Sequence, residues 1–371
     1  MAQLNLKSLL EDMVSRRGSD LHISVGTAPQ MRVDGDLVEM TQFERMGAEE
    51  TQALAYSVLT EKQKKHFEET MELDFSFGIK GLSRFRGNVF MQRGAVAAVF
   101  RTIPYEILTF EKLGMPPIVK ELSERPNGLV LITGPTGSGK STTLAAMIDR
   151  INNAEPVHIL TIEDPIEFVH NHKRALVNQR QIGSDTMGFT NALRAALRQD
   201  PDVVLIGEMR DLETIEAALT IAETGHLAFG TLHTNSAAQT MNRLIDVFPT
   251  TQQQQVRTQL SLTLEGVVSQ QLLPKVGGGR TAALEILVCT PAVRALIRDN
   301  KIHQIYSIMQ VGTKFGMRTM NQSLYDLIKK RHIDSQEALL RSPEPEELKE
   351  MLSRGGTSGM GPTTKQSRKG G

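Results

Sequence analysis

A single cysteine, Cys289, serves a chain of 371 residues. That excludes an intrachain disulfide and any zinc cluster built from several cysteines. Its position after Ile286-Leu287-Val288 reads as a buried, inert thiol. Aromatic residues make up only 5%, and the 42 Lys+Arg are matched by 42 Asp+Glu. No global field therefore draws the chain toward nucleic acid or anionic lipid. The basic, aromatic-lined track of a single-strand motor is not in view either. No run approaches the roughly 18 apolar residues that span a bilayer. The first residues, Met1-Ala2-Gln3-Leu4-Asn5-Leu6-Lys7, carry no apolar signal core. These absences point to a cytoplasmic protein without direct membrane insertion, meeting a membrane only through a partner.

What is present divides by pattern. The length suggests two domains and a tail. Leu4, Leu6, Leu9, Leu10, Met13 and Val14 form one helical stripe. Strand patterns follow at 19–24, and at 30–33 and 36–40 around the hairpin signal Asp34-Gly35. A helix is expected over 48–66, then strands at 72–78, 83–92 and 95–102. Residues 1–103 thus read as a small α+β domain, with 104–110 as linker. From 111 to 290 short apolar runs at 129–133, 158–162, 203–206 and 227–232 have the look of strands buried on both faces. Helical patterns at 141–152, 188–199 and 211–223 lie between them, which predicts a mostly parallel α/β sheet. Gln252 to Gln255 fit a solvated helix face. Helical patterns return over 291–354, and 355–371 has the composition of a disordered tail.

One loop carries the chemistry. Gly134-Pro135-Thr136-Gly137-Ser138-Gly139-Lys140-Ser141, continued by Thr142, matches G-x-x-x-x-G-K-[ST] between a buried strand and a helix. Glycines let backbone N–H groups close around phosphate oxygens, and the helix N-terminus favours negative charge. Lys140 suits the β- and γ-phosphates of ATP, and the Ser141 hydroxyl suits Mg²⁺. Hydrolysis needs more than a cradle, and carboxylates stand where two buried runs end. Glu163 is expected to orient or deprotonate the attacking water, and Glu208 to hold the Mg²⁺ shell. Asp164 and Glu167 are open between a role in the site and bracing of their loop. His233, at the end of another buried run, suits a γ-phosphate sensor; His226 is open between structure and function. Neither histidine has ligand spacing for a metal.

With these boxes in order, the chain resembles the secretion ATPase superfamily and, within it, the type IV pilus retraction ATPases. The likeness runs from about residue 19 to 325. It rests on Ser19-Asp20-Leu21-His22-Ile23, Phe85-Arg86-Gly87-Asn88, Val99-Phe100-Arg101-Thr102-Ile103-Pro104 and the phosphate loop. It continues through Thr161-Ile162-Glu163-Asp164-Pro165-Ile166-Glu167, the segment from Asp200 to Asp211, and the segment from Thr224 to Thr234. Assembly ATPases of the superfamily carry a four-cysteine zinc motif that this chain lacks. Retraction enzymes carry Ala-Ile-Arg-Asn-Leu-Ile-Arg-Glu, which here reads Ala292-Val293-Arg294-Ala295-Leu296-Ile297-Arg298-Asp299. On a helix that segment is amphipathic, so plain packing is the competing account.

The resemblance implies a homohexameric motor, each subunit pairing a PAS-like N-terminal domain with a RecA-like P-loop ATPase domain and a C-terminal helical region. It implies hydrolysis of ATP with Mg²⁺, coupled to pilus retraction and twitching motility. The implied partner is the inner-membrane platform protein of the pilus, met on its cytoplasmic side, with no nucleic acid. Arginines of the N-terminal domain would complete a neighbour's site. Arg84 and Arg86 share a strand face, Arg93 and Arg101 follow, and Arg86 and Arg101 are the favoured pair. Arg194 and Arg198 share a helix face where salt bridging is expected. A pilus-assembly or type II secretion ATPase, a RecA- or helicase-type motor, and a scaffold that binds without hydrolysing stand as alternatives.

Overall fold

The computed structural model describes residues 4–33, 35–103 and 106–356. Asp34 of the expected hairpin turn, Pro104 and Tyr105 of the expected linker, and the tail from 357 lie outside them. By their contacts the described residues form two compact units. One comprises residues up to Ile107 with Glu163–His170, the other Leu108–Ile162 and residues from Asn171 on. The sequence gives no sign that 163–170 belongs with the first unit.

The first unit begins with α1 (Leu6–Ser15), where Leu6, Leu9, Leu10 and Met13 are buried and Asn5 caps the Ser8 N–H at 2.9 Å. A six-stranded sheet of order β3-β2-β1-β6-β5-β4 follows from β1 (Asp20–Ile23), β2 (Gln30–Val33), β3 (Asp36–Glu39), β4 (Glu72–Ile79), β5 (Ser83–Gln92) and β6 (Ala95–Ile103). β2 and β3 form the expected hairpin, with Val33 opposite Asp36. The single helix expected over 48–66 is two, α2 (Ala48–Tyr56) and α3 (Glu61–Thr70). Thr60 and Gln63 form a capping box that starts the second helix. β5 shows why the sheet has one buried face: Ser83, Phe85, Gly87 and Val89 point inward and Arg84, Arg86, Asn88 and Phe90 outward. Arg93 (φ 48°) and Gly94 (φ 78°) turn β5 into β6 with two left-handed residues, as a tight hairpin requires. Phe75, Phe77, Phe85 and Phe100 pack with ring centroids 5.5 to 6.5 Å apart. Each such ring contributes about 1.5–3 kcal/mol by burial, with a further increment from ring geometry.

The second unit opens with α4 (Phe110–Leu113) and α5 (Pro117–Ser123), both unexpected from periodicity because neither exceeds two turns. It is built on a seven-stranded sheet of order β13-β12-β7-β11-β10-β8-β9. In chain order these are β7 (Gly128–Thr133), α6 (Lys140–Ala154), β8 (His158–Glu163), β9 (Leu176–Gln181), α7 (Phe189–Ala196), β10 (Val203–Ile206), α8 (Leu212–Glu223) and β11 (Leu227–Leu232). α9 (Ala237–Asp246), α10 (Gln253–Thr263), β12 (Leu264–Pro274) and β13 (Arg280–Val288) complete the sheet and its cover. β12, β7, β11, β10 and β8 run parallel, as the buried runs require, and β13 returns antiparallel on the outside. Every residue of β7 and β11 is buried. α7 stops at Ala196, short of the expected 199, so Arg194 and Arg198 do not share a helix face. Both are exposed, and neither forms an ion pair among the described residues.

The chain ends, as far as described, in α11 (Pro291–Arg298), α12 (Ile305–Val311), α13 (Met320–Lys329), α14 (Ser335–Arg341) and α15 (Pro345–Gly356). These pack in two places. Val293, Ile297, Ile305 and Met309 join the main core, while Met320, Leu324, Ala338 and Leu348 close over Leu273 of β12 and Ala283 of β13. Cys289 is buried as expected, and burial pushes its thiol up to about 12. No helix among the described residues is long and apolar enough to cross a membrane.

Candidate active site

Four neighbouring strands of the parallel sheet end on the same edge, where open α/β sheets carry their ligands. β7 leads into the phosphate loop, β11 into His233, β10 into Gly207-Glu208, and β8 ends on Glu163. Strand spacing puts the outer two of these ends about 14 Å apart.

The loop's shape follows from three glycines with positive φ: Gly134 (139°), Gly137 (78°) and Gly139 (87°). A Cβ at Gly134 would lie 2.2 Å from the Gln270 carbonyl oxygen, so no other residue fits there. Ser138 N–H closes a turn on Pro135 O at 3.1 Å. Gly139, left-handed, caps α6 without a side chain, and no acidic residue stands in the first turn. The first turn of α6 thus favours an anion by its dipole. Lys140 folds back over the loop, donating from Nζ to Gly134 O at 2.8 Å and Pro135 O at 3.2 Å. Ser141 and Thr142 are half-buried at the mouth, and Pro135, Thr136 and Gly137 are exposed.

Glu208 is held on two sides. Arg210 grips it as a fork, Nε to Oε1 at 2.6 Å and Nη2 to Oε2 at 2.6 Å, and His233 Nε2 meets Oε1 at 2.9 Å. Burial alone would raise the Glu208 pKa; Arg210, then His233, outweigh it and hold the carboxyl below its ordinary range. Backbone bonds lock the three strand ends into register: Gly207 N–H to Ile162 O at 2.8 Å, Met209 N–H to Thr231 O at 3.0 Å, and the Thr231 hydroxyl to Gly207 O. The turn after His233 is braced on α9. The Thr234 and Thr240 hydroxyls meet at 2.7 Å, and the Ala237 N–H donates to Glu285 at 2.8 Å. Burial raises the Glu285 pKa, against the hydrogen bonds it accepts from the Ala237 and Met320 backbones.

The structure thus brings Glu208 and His233 into contact, on the strand ends beside the loop. Arg210, which no sequence argument singled out, joins them; its signal was a cation two residues past a strand-end carboxylate. Glu163 takes its place at the end of β8, half-buried. Asp164 and Glu167 are exposed and make no hydrogen bond or ion pair among the described residues, so neither braces its loop. His226 lies at the opposite end of β11. Its Nδ1 meets Thr224 Oγ1 at 3.0 Å and Ile221 O at 3.1 Å, closing the end of α8.

The favoured arginines belong to the first unit and stand directly opposite each other on β5 and β6. Like charges in that relation repel unless compensated. Arg101 Nε pairs with Asp20 at 2.7 Å, and Arg86 Nη2 lies 3.5 Å from Asp74. Asp20, only 6% exposed in its side chain, also accepts from Ser19 Oγ at 2.7 Å. Arg84 bonds Ser76 at 2.7 Å, and Arg93 is spent in the hairpin turn.

The segment 292–298 forms α11, with Val293 and Ile297 wholly buried and Leu296 packed beside them. Arg294 reaches back to the end of α10. Its Nη1 donates to Ser261 O and Leu262 O, each at 2.9 Å, and its Nη2 pairs with Glu265 at 2.5 Å. A cation on the last carbonyls of a helix satisfies orphan acceptors and complements the dipole. Ala292 and Arg298 stay on the exposed face, where the Arg298 guanidinium pairs with Asp299 at 3.1 Å and its carbonyl accepts from Gln254 at 3.3 Å.

Comparison with known proteins places this geometry. The family model described as type II/IV secretion system protein matches residues 2–339. A type IV pilus retraction ATPase of Pseudomonas aeruginosa, PilT, is 53% identical over 343 residues, 92% of this chain and 99% of that protein. A twitching motility protein of Neisseria gonorrhoeae is 52% identical over 321 residues, 86% of each chain. The crystal structure of the pilus retraction motor PilT with bound ADP superposes with a TM-score of 0.89 at 53% identity, covering 94% of this chain and 100% of that one.

Proposed function

The chain belongs to the type II/IV secretion system protein family, and from that premise we propose that it is the ATP-hydrolysing motor of type IV pilus retraction. The observation that carries the reading is the loop Gly134–Ser141 opening α6 without a capping side chain, beside the two strand ends that present Glu208 and His233 together. The unit around the seven-stranded sheet is read as RecA-like, and the unit around the six-stranded sheet as PAS-like.

In this reading the N–H groups of the loop and of the first turn of α6 bind the phosphates, and Lys140 leaves the Gly134 and Pro135 carbonyls for the β- and γ-oxygens. Glu163 orients water for attack on the γ-phosphorus; the bond to the β-phosphate oxygen breaks as the new P–O bond forms. His233, already on Glu208, reports loss of the γ-phosphate to the turn before α9. Among the described residues no group of three or more His, Cys, Asp or Glu forms a metal site. That fits magnesium, which takes few protein ligands beside phosphate and water. Ser141 and Glu208 would hold the ion, which supplies positive charge to the phosphate oxygens.

Arg86 and Arg101 act on the site of a neighbouring subunit in a homohexamer. The partner of the ring is the platform protein of the pilus on the cytoplasmic side of the inner membrane, met in part through residues 292–298. Lys140→Ala tests the whole reading. Turnover by the purified protein should fall at least about 100-fold, with the melting temperature unchanged, and a strain carrying it should keep pili but not withdraw them. Normal turnover would remove the loop from the mechanism; bald cells would indicate assembly instead of retraction.

A further inference from the structure

β12 is apolar for most of its length, yet Gln270 stands in its middle at 1% exposure. A buried primary amide is costly unless its donors and acceptor are matched. Here its Nε2 donates to Ser138 O at 2.6 Å, and its Oε1 accepts from the Thr143 hydroxyl at 2.9 Å. Thr143 is itself buried, one turn into α6. The same residue's main chain sets the other end of the loop, since its carbonyl oxygen excludes any Cβ from Gly134. A Cβ at Gly139 would come within 3.2 Å of the Gln270 amide nitrogen. One position earlier, Ser269 Oγ meets Thr133 Oγ1 at 2.7 Å, fixing the register in which β7 delivers the loop. Gln270 therefore touches the entry, the exit and the first helical turn of the loop.

We propose that Gln270 is the positioning residue that gives the nucleotide loop its phosphate-binding shape. In a planar trans peptide the carbonyl of one residue and the N–H of the next point in opposite directions. Holding Ser138 O down onto β12 consequently turns the Gly139 N–H toward the mouth of the loop, where an anion would sit. The left-handed φ of Gly139 (87°) is the backbone state that this orientation uses. Without the amide, the 138–139 peptide is free to rotate. The loop then loses one anion-facing donor without losing Lys140 or Ser141. The other half of the amide, through Thr143, fixes how α6 starts relative to β12.

This inference rests on the reading of the loop as a nucleotide site, and the experiment separates the two. ADP affinity, KM for ATP, kcat and melting temperature are measured for full-length wild type, Gln270→Met, Gln270→Glu, Thr143→Val and Thr143→Ser. Gln270→Met matches the volume and removes both hydrogen bonds. Gln270→Glu keeps the shape and removes the donor. Loss of one donor to a phosphate oxygen predicts ADP binding weaker by about tenfold or more in both Gln270 variants. KM should rise in proportion, while kcat at saturation falls less than threefold. Thr143→Val should weaken ADP binding by a smaller factor, about threefold, and Thr143→Ser should restore it. ADP affinity within twofold of wild type in Gln270→Glu, whatever its melting temperature, overturns the proposal and leaves Gln270 as core packing. If Gln270→Met does not fold, the Gln270→Glu and Thr143 variants decide by the same criteria. A wild-type protein that binds no ADP would sink the nucleotide reading itself, a different outcome.

Discussion

The two sheets carry their charged residues in different places. In the seven-stranded sheet the central strands are buried on both faces, so the polar groups of the candidate site gather at the strand ends: the phosphate loop, Glu163, Glu208 and His233. In the six-stranded sheet one face is open, and Arg84, Arg86 and Arg101 stand along the strands themselves. A parallel sheet has only its edge to offer a ligand, and that edge is shaped by backbone. An antiparallel sheet offers a face, shaped by side chains that can be exchanged one at a time. The first kind of site should be intolerant of small changes, the second graded.

Glycine substitutions sharpen this contrast most. Gly134→Ala would drive a Cβ into a backbone carbonyl that cannot rotate away, at a φ that disfavours side chains. It should cost more than about 3 kcal/mol and abolish nucleotide binding. Gly94→Ala, at φ 78° with nothing within 4 Å, should cost about 1 kcal/mol by denaturant unfolding and leave turnover intact. Equal costs would break the comparison.

The arginines come next. Arg101→Ala leaves the buried Asp20 carboxylate without its charge partner, a loss of about 2 kcal/mol. Arg86→Ala removes an exposed 3.5 Å contact and should cost less than about 1 kcal/mol. If Arg86 serves a neighbour's site, ATPase activity of the assembled protein falls while the melting temperature holds. Unchanged activity in that variant would make the open face an ion-pair lattice and nothing more.

A further effect is a matter of pH. The folded value of Glu208 is depressed, so its bond with Arg210 stabilises the fold above the ordinary carboxylate range. The contribution is lost as pH falls through the lower folded value. With Arg210 largely exposed it amounts to about 1 kcal/mol. Glu208→Gln should therefore melt about 3 °C below wild type at pH 7 and at pH 5, the gap closing only in stronger acid. A gap already closed at pH 5 would remove Arg210 from the argument.

Much of this was legible beforehand for a physical reason. β7, β10 and β11 are short and buried throughout, and β5 alternates, so burial writes directly into their sequence. The loop is legible because its geometry requires glycine at fixed offsets. What was missed is of two kinds. β9, β12, β13 and the short helices α4 and α5 lack clean periodicity. β9 reads Leu-Val-Asn-Gln-Arg-Gln at a sheet edge, and β12 is interrupted by Ser269-Gln270-Gln271. That interruption was a signal, because polar residues inside an apolar run demand partners. The fork of Arg210 on Glu208 and the hold of Arg294 on α10 belong to the second kind. They depend on side-chain directions that spacing does not encode. Arg294 is bound to the end of α10, while Arg298 keeps the exposed position.

The hold of Arg294 on Ser261, Leu262 and Glu265 has a genetic corollary. If residues 292–298 serve retraction as proposed, a search for immotile mutants would recover changes at both 294 and 298, and the two would look alike on a plate. Their revertants would not. Loss at 294 should be suppressed by changes scattered through the same chain that restore its folded population. Loss at 298 should be suppressed only by allele-specific changes in a second gene, and the list of those suppressors would identify what the exposed face of α11 meets.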